Sequence, residues 1–322
     1  MNNVLDSYKQ TFDLLKRHMK WKVSDKRILM TISSIYVLNQ KTLDVDRFLQ
    51  LADAIKKKAG LFSSIRSHPR FTTAAMLDVK LERPEDKVDQ LHELYDLFRE
   101  ARFGSGVFTY IAATILLTNG QLDPRVTILH AKEIYDGMKR EHAFLTTSSD
   151  YPMATLLALE NRTGIIQHIE DFYNELPKHG FRKGNDLQFL SHILALNTEA
   201  PKHVLINRVI HVMDSFVQAH IKAKQMYYPI IGMLALLPPE EYDIRPILSL
   251  YEELNSEKEF KWYKDINLIL AASFFMNEKI EKNGLAETSL STILEAILQA
   301  QQAVMIATVT ATAAASSNNS GN

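Results

Sequence analysis

The chain has 322 residues, of which 46% are hydrophobic and 23% charged, and this composition is typical of a globular protein. It contains no cysteine, which excludes disulfide bonds and thiolate metal sites. No secretory leader pattern is recognisable, and the longest apolar tract, residues 303–315, is shorter than the roughly 20 residues that a membrane span requires. We therefore expect a cytoplasmic protein without a membrane span.

The charge is unevenly distributed along the chain. Residues 1–70 carry 14 basic and 6 acidic side chains, whereas the rest of the chain carries 23 basic and 32 acidic ones. A basic end can attract an acidic partner, an anionic membrane surface, nucleic acid or the acidic part of a second copy. The alternative is that these side chains form ordinary solvated helix faces. Nucleic acid is disfavoured because aromatic residues are not interleaved in this region and the whole chain is not basic.

Taken in order, the predicted elements are pairs of helices. The first pair covers residues 5–21 and 24–38, and the second begins at Asp44, whose side chain can cap a helix. Later pairs begin at Pro84, Pro124 and Pro201, since proline suits the first helical turn, and at residues 165 and 245. No segment shows the sustained alternation and turn dipeptides of a β-sheet. The sequence therefore predicts an all-α protein.

Three series of residues repeat with a period of about forty residues, which is typical of a helical-repeat array. The first series ends each first helix: Trp21, Phe62, Phe103, Phe144, Phe181, Ile221 and Phe260. The second lies in the middle of the first helices: Tyr95, Tyr135, Tyr173, Met213 and Tyr251. The third places small residues in the second helices: Ala74, Ala113, Ala154, Ser191 and Ala271. We expect the large residues of these series to form the core.

These patterns predict about seven helical hairpins stacked as an α-solenoid-like array in one domain, residues 1–308. A helix at about residues 290–306 would cap the last hairpin, because an array must shield its terminal apolar face. The Ala-, Ser- and Asn-rich tail, residues 309–322, is expected to be disordered.

Three stretches resemble the bacterial family catalogued as domain of unknown function 4003. They are GLFSSIRSHPRF (60–71), HAFLTTSSDYPMA (142–154) and GFRKGNDLQFLSHILAL (180–196), and the likeness extends over nearly the whole chain. The resemblance implies no activity, since the family has none assigned. Its central loop often carries a Gly and a pair of acids before Tyr-Pro, whereas Thr147, Ser148 and Ser149 leave Asp150 alone here. That difference weakens a metal or acid–base role for this loop.

The three distinctive stretches fall in loops between first and second helices, which a regular array would place along one edge. Loops on a rigid scaffold commonly carry binding groups. The candidate binding residues are Ser64, Arg66, Arg70, Thr146, Asp150, Lys183, Asn185 and Asp186. Asp150, Asn185 and Asp186 also fit the simpler role of helix caps. Arg66 and Arg70 suit a carboxylate or phosphate, or else a structural pair with a neighbouring acid.

Other motifs do not indicate chemistry. The histidines form no HExxH pattern, and His192, on an otherwise apolar helix, is expected to be a packed core residue. The Gly104–Gly106 segment lacks the spacing of a dinucleotide-binding loop, and no P-loop or nucleophile elbow is present. The sequence thus predicts no catalytic residue, metal or cofactor.

We expect a non-catalytic interaction module that binds a protein or peptide along the loop edge or the concave face. The alternative is an enzyme, or a sensor of a small molecule or anion, with a pocket at the loop edge. Neither the partner nor the oligomeric state follows from the sequence.

Overall fold

The computed structural model describes residues 2–61, 63–119, 123–160, 162–197 and 200–282. These residues form fourteen α-helices joined by turns and short 3-10 helices, and they contain no β-strand. The predicted all-α class is therefore confirmed. The expected capping helix at residues 290–306 and the tail at residues 309–322 lie outside the described residues. By contact, the described residues divide into two compact units. Whether they form one continuous domain stays a prediction.

The first unit comprises the residues up to Glu133 together with Thr147–Leu159. Its helices are α1 (Asn2–Met19), α2 (Lys26–Leu38), α3 (Val45–Lys58), α4 (Pro69–Lys80), α5 (Val88–Glu100), α6 (Val107–Asn119), the first part of α7 (Pro124–Glu141), and α8 (Tyr151–Leu159). Helices α1, α3 and α5 lie side by side, and so do α2, α4, α6 and α8. Each second helix therefore packs against the second helix of the neighbouring hairpin.

The second unit comprises Ile134–Thr146 and the described residues from Glu160 onward. Its helices are the end of α7, α9 (Ile165–Glu175), α10 (Asn185–Leu196), α11 (Lys202–Gln218), α12 (Tyr228–Leu236), α13 (Ile244–Ser256) and α14 (Lys264–Lys282). Helix α12 packs against both α10 and α14. A Cβ atom on Gly232 would lie 2.5 Å from Cδ1 of Leu190, so α10 and α12 approach closely because residue 232 has no side chain.

Helix starts follow the predicted capping chemistry in several places. Asp25, Asp44 and Asp243 are the N-caps of α2, α3 and α13, and each carboxylate accepts a hydrogen bond from a backbone amide two or three residues later. The start at Asp44 is thus confirmed. Pro84 instead opens a 3-10 turn, Pro84–Lys87, and α5 begins only at Val88. No side chain caps that turn, and the tighter 3-10 hydrogen bonds take over part of this role.

A buried carboxylate joins α2 and α4 at their C-terminal ends. Asp78 is 1% exposed and accepts a 2.7 Å hydrogen bond from the Tyr36 hydroxyl and a 3.2 Å bond from Lys41 Nζ. Arg47 Nε lies 3.5 Å from the same carboxylate. Because the C-terminal ends of α2 and α4 meet here, the helices run in the same direction, and their N-terminal turns lie together at the opposite edge of the unit.

The repeat series predict burial well for small residues and less well for large ones. Ala74, Ala113, Ala154, Ser191 and Ala271 are all fully buried, as expected for close helix contacts. Phe103, Phe181, Phe260, Tyr135 and Tyr173 are also buried. Tyr95, Met213, Ile221 and Tyr251 are half-buried, and Phe62 lies outside the described residues.

Two large residues of the first series are exposed, and the core assignment is wrong for them. Trp21 is 90% exposed and Phe144 99% exposed. In the first hairpin the inward side chain is Val23, which is 3% exposed and whose amide donates to the Met19 carbonyl. The chain therefore turns inward two residues after Trp21, a shift that a forty-residue period cannot detect.

Candidate functional site

Hydrogen bonds join successive connecting segments at one edge of the first unit. The hydroxyls of Ser63 and Tyr110 lie 3.1 Å apart, which links the α3–α4 segment to the start of α6. The Gly104 amide donates to the Tyr151 hydroxyl at 2.9 Å, which links the α5–α6 segment to the start of α8. The segments of this edge are therefore held in fixed positions relative to one another.

The predicted site residues of the α3–α4 segment mainly serve the backbone. Arg66 Nη1 donates to the carbonyls of Lys56 and Ala59, at 3.1 and 2.9 Å, and so satisfies the C-terminal end of α3. Arg70 Nη1 donates to the carbonyls of Arg66 and Ser67, and its guanidinium stacks 4.1 Å from the ring centre of Phe71. Ser64 is exposed. The two arginines thus lie together, with part of their donor capacity used within the loop.

Asp150 lies on a different connecting segment of the first unit. Its carboxylate accepts a 2.9 Å hydrogen bond from the Thr147 amide, and the Thr147 hydroxyl accepts one from Ser149, which together form a capping box. Burial raises the pKa of Asp150 to about 6, although the Thr147 amide opposes that rise. Asp150 therefore has the capping role that was the simpler interpretation of the sequence. It acts from the third position of the turn, whereas Thr147 occupies the capping position itself.

In the second unit the predicted residues Thr146 and Lys183 lie beside polar groups from other elements. The Thr146 hydroxyl accepts a 3.0 Å hydrogen bond from Gln188 Nε2 on α10. Lys183 Nζ lies 5.4 Å from the ring centre of Tyr173 on α9. Both residues are therefore connected to the α9–α10 hairpin.

Asn185 and Asp186 do not cap α10 as the simpler interpretation held. The helix begins at Asn185, and Gly184, with a φ of 152°, occupies the capping position. Asn185 is exposed. Asp186 is half-buried, and burial raises the pKa of its carboxyl group. The capping interpretation is wrong here because the helix already begins at Asn185, so the capping position falls on Gly184, whose positive φ favours glycine.

A polar cluster in the second unit includes residues that the sequence did not single out. His142 Nε2 lies 2.9 Å from a carboxylate oxygen of Glu170, and the His142 ring stands 4.2 Å from that of Tyr173. Burial raises the pKa of Glu170, and the neighbouring His142 and Lys183 counteract that rise. His142 and Glu170 are 28 positions apart in the chain, a spacing that no local motif would reveal.

His192, expected to be a core residue, is completely buried near this cluster. Neither ring nitrogen has a hydrogen-bond partner among the described residues, and the same holds for Oε1 of Gln188, one helical turn earlier. Burial, together with the nearby His142, lowers the pKa of His192 to about 3, so its ring is neutral. In the described part of the chain, no three His, Asp or Glu side chains are arranged to hold a metal ion.

Four large apolar side chains on connecting segments, two in each unit, are more than 80% exposed. They are Trp21, Leu61, Phe144 and Trp262, with exposures of 90, 81, 99 and 81%. Lys20 and Lys22 flank Trp21 directly, whereas Trp262 has Lys261 before it and Lys264 two positions after it. Lys20 and Lys261 lie 5.4 and 5.2 Å from the adjacent indole ring centres. In the sequence, a tryptophan next to lysines in a predicted turn could have indicated that its side chain is exposed. By contrast, Tyr227 and Tyr228, next to the α12 turn, are buried.

We name the exposed group in the first unit the basic turn surface: Lys20, Trp21, Lys22, Lys57 and Leu61. All five side chains are exposed. The three lysines form no ion pair with any residue that the structure describes, whereas the neighbouring Lys58 is paired with Asp89 at 2.7 Å. Since α1 lies beside α3, and α2 beside α4 in the same direction, the two segments share one edge. The surface thus combines exposed apolar groups with unpaired positive charge.

Comparison with known proteins assigns the chain to a family. The family model described as "Protein of unknown function (DUF4003)" matches residues 11–303. The chain therefore belongs to this family. It is similar to "Uncharacterized protein YeaA" of Bacillus subtilis (strain 168), with 37% identity over 313 residues, which cover 96% of this chain and 94% of the relative. No solved structure matches the chain. No helix in the described ranges has both the length and the apolar character to cross a membrane.

Proposed function

We propose that the protein is a non-catalytic interaction module whose basic turn surface binds an acidic segment of a partner protein or peptide. The observation that carries this proposal is the exposure of Trp21 and Leu61, at 90 and 81%, on one edge of the unit that also presents the unpaired Lys20, Lys22 and Lys57. Tryptophan is among the residues that contribute most to protein–protein binding, and a lysine near it attracts carboxylates over a longer distance.

The charge distribution and the fixed loops support a protein partner. The first seventy residues carry 14 basic and 6 acidic side chains, so a partner's acidic groups would meet a complementary field. Hydrogen bonds between connecting segments fix the positions of the loops in the same unit. Fixed positions favour recognition of one shape, whereas a fluid lipid surface gains nothing from them.

We interpret the side-by-side hairpins of each unit as a helical repeat, and we place the protein in the cytoplasm. The recurrence of small buried residues at about forty-residue intervals supports the repeat. The absence of cysteine is consistent with a reducing compartment. Repeat scaffolds commonly present extended binding surfaces, which agrees with a role in protein binding.

The alternative of an enzyme or small-molecule sensor at the loop edge has weaker support. Arg66 and Arg70 donate hydrogen bonds to backbone carbonyls, and Asp150 accepts one from the Thr147 amide. No hydrogen bond or ion pair among the residues that the structure describes joins Asp150 to either arginine. An acid and a guanidinium that act on one substrate would have to converge.

The test uses the fact that the chain has two tryptophans. In a Trp262→Phe variant, Trp21 is the sole indole reporter, and its fluorescence is followed while a synthetic peptide of Glu, Leu and Phe is added. We expect a saturable blue shift as the indole leaves water, and about tenfold weaker binding in a Lys20→Gln, Lys22→Gln, Lys57→Gln background. A peptide with Gln in place of every Glu is the matched probe control and should bind weakly.

The complementary variant Trp21→Phe retains Trp262 and should show no shift with the acidic peptide. The proposal is overturned if the acidic and Gln peptides bind equally well or not at all. It is also overturned if phosphatidylglycerol vesicles shift the Trp21 emission while the acidic peptide does not, because the surface would then recognise lipid.

A further inference from the structure

Three arginines make the same kind of contact in three hairpins. Arg47 Nη2 donates to the carbonyl of Glu82 just after α4, and Arg162 Nη1 donates to the carbonyl of Leu196 at the end of α10. Arg208 Nη1 donates to the carbonyl of Leu237 just after α12, at 3.3 Å. In each hairpin, an arginine just before the first helix or within its first two turns therefore satisfies the C-terminal end of the second helix.

The three arginines differ in their acidic partners. Arg47 lies 3.5 Å from Asp78 and 3.6 Å from Glu85, and Arg162 lies 3.2 Å from Glu160. Arg208 has no carboxylate partner in the part of the chain that the structure describes, and its Nε atom is buried without a hydrogen-bond acceptor. Carboxylates lie beside the guanidinium groups of Arg47 and Arg162, whereas the positive charge of Arg208 has no such partner among the described residues.

Arg208 lines a cavity of about 280 Å³ in the second unit. The cavity lies between the first part of α11 and the end of α12, at the edge opposite the α11–α12 turn. Most of its wall is apolar: Val204, Val212, Leu234, Ala235, Leu237 and Pro239. The polar residues that also line it are Asn207, Arg208, His211 and Tyr242.

We propose that this cavity binds a small amphipathic monocarboxylate, whose carboxylate pairs with Arg208 and whose apolar body contacts the aliphatic wall. The carboxylate takes the place that Glu160 fills beside Arg162 and that Asp78 and Glu85 fill beside Arg47. Nη1 of Arg208 donates to the Leu237 carbonyl and Nε has almost no accessible surface, so the terminal Nη2, which makes no hydrogen bond to the described residues, would donate to the carboxylate. Ligand pockets commonly combine an apolar lining with a few polar groups in this way.

The remaining polar groups are compatible with an anion. The Tyr242 hydroxyl hydrogen-bonds the Ser215 hydroxyl, and burial, together with the charge of Asp243, raises the pKa of Tyr242 to about 12, so Tyr242 stays neutral. Asp243 itself is paired with Arg245 at 2.7 Å. The His211 ring stands edge-on to the Tyr242 ring at 5.7 Å. Arg208 is the charged residue of the cavity lining, which contains no acidic side chain to oppose a carboxylate.

The test is calorimetric titration of the full chain with octanoate, with 1-octanol as the uncharged probe of equal tail length. We expect octanoate to bind at one site and octanol at least tenfold more weakly. Arg208→Gln should reduce octanoate affinity at least tenfold, and Val204→Phe should reduce it by filling the cavity. Arg162→Gln removes an arginine that makes the same kind of contact but is not in the cavity lining, and it should leave octanoate binding unchanged.

Circular dichroism and the melting temperature show whether each variant is folded. If Arg208→Gln fails to fold, the comparison of octanoate with octanol in the unmodified protein tests the proposal, because it needs no variant. The proposal is overturned if octanoate does not bind at millimolar concentration, if octanol binds as tightly, or if a folded Arg208→Gln protein binds octanoate with unchanged affinity.

Discussion

The backbone amide of Gly104 donates a 2.9 Å hydrogen bond to the hydroxyl of Tyr151, the first residue of α8. The same contact occurs in the second unit, where the Arg182 amide donates to the hydroxyl of Tyr228 at 3.0 Å and Tyr228 is the first residue of α12. A tyrosine at the start of a second helix therefore holds the preceding connecting segment in both units. The ring also packs, since Phe103 meets Tyr151 edge-on at 4.8 Å.

Replacing Tyr151 by Phe tests this connection, because the ring stays and only the hydroxyl is lost. We expect a loss of about 1 kcal/mol in the free energy of unfolding, since the Gly104 amide loses its partner. Urea denaturation measures the change. Tyr263→Phe is the control, because the Tyr263 hydroxyl has no hydrogen-bond partner among the described residues and its removal should change little. Equal losses in both variants would contradict the assigned role.

Asp150 should make the protein less stable as the pH rises. Burial raises its pKa in the folded protein to about 6, above the ordinary value of 3.8, so between these pH values the folded state holds a proton that the unfolded state has lost. Stability from this group is therefore present below about pH 4 and is lost as the pH rises through 6. Asp150→Asn keeps an oxygen for the Thr147 amide and removes the titration.

We expect the Asp150→Asn variant to be more stable than the parent protein at pH 8, by on the order of 2–3 kcal/mol, and equal to it near pH 4. Denaturation midpoints at pH 4, 6 and 8 provide the measurement. Asp214→Asn changes an exposed aspartate and serves as the control. If stability rises between pH 4 and 6 in the parent protein but not in Asp150→Asn, the buried, protonated carboxyl is ruled out.

His192 should have the opposite dependence on pH. Its folded pKa is about 3 instead of 6.5, so the unfolded chain takes up a proton that the buried ring does not. The resulting stability is present above pH 6.5 and is lost as the pH falls towards 3. His192→Leu removes the titrating group. We expect the difference in stability between variant and parent protein to favour the variant by about 2 kcal/mol more at pH 5 than at pH 8. His203→Leu, at an exposed position, is the control, and equal pH profiles for the two variants would refute the prediction.

The sequence predicted the parts of the molecule that depend on local chemistry and period. Asp44 caps α3 as expected, and Ala154 and Ala271 are fully buried in second helices. The period does not determine which residue of a turn points into the core, so it wrongly assigns Trp21 and Phe144 to the core although both are exposed. An error of one or two residues within a turn reverses the direction of a side chain.

The polar groups of the candidate sites were predictable only in part. Thr146 and Lys183 were singled out from their loops, but their neighbours Gln188 and Tyr173 come from other elements. The pairing of His142 with Glu170 and the unpaired state of Arg208 depend on packing between helices. Such relationships have no fixed spacing in the chain, and only three-dimensional coordinates reveal them.

The packing of each helix against partners one or two helices away has a consequence for how the chain folds. Within each unit, the contacts of α4 with α2 and α6, and of α12 with α10 and α14, join segments that are close in the sequence. Short separations keep the entropy of loop closure small and favour rapid folding. Each unit can accordingly begin to acquire structure while the ribosome is still synthesising the hairpins that follow.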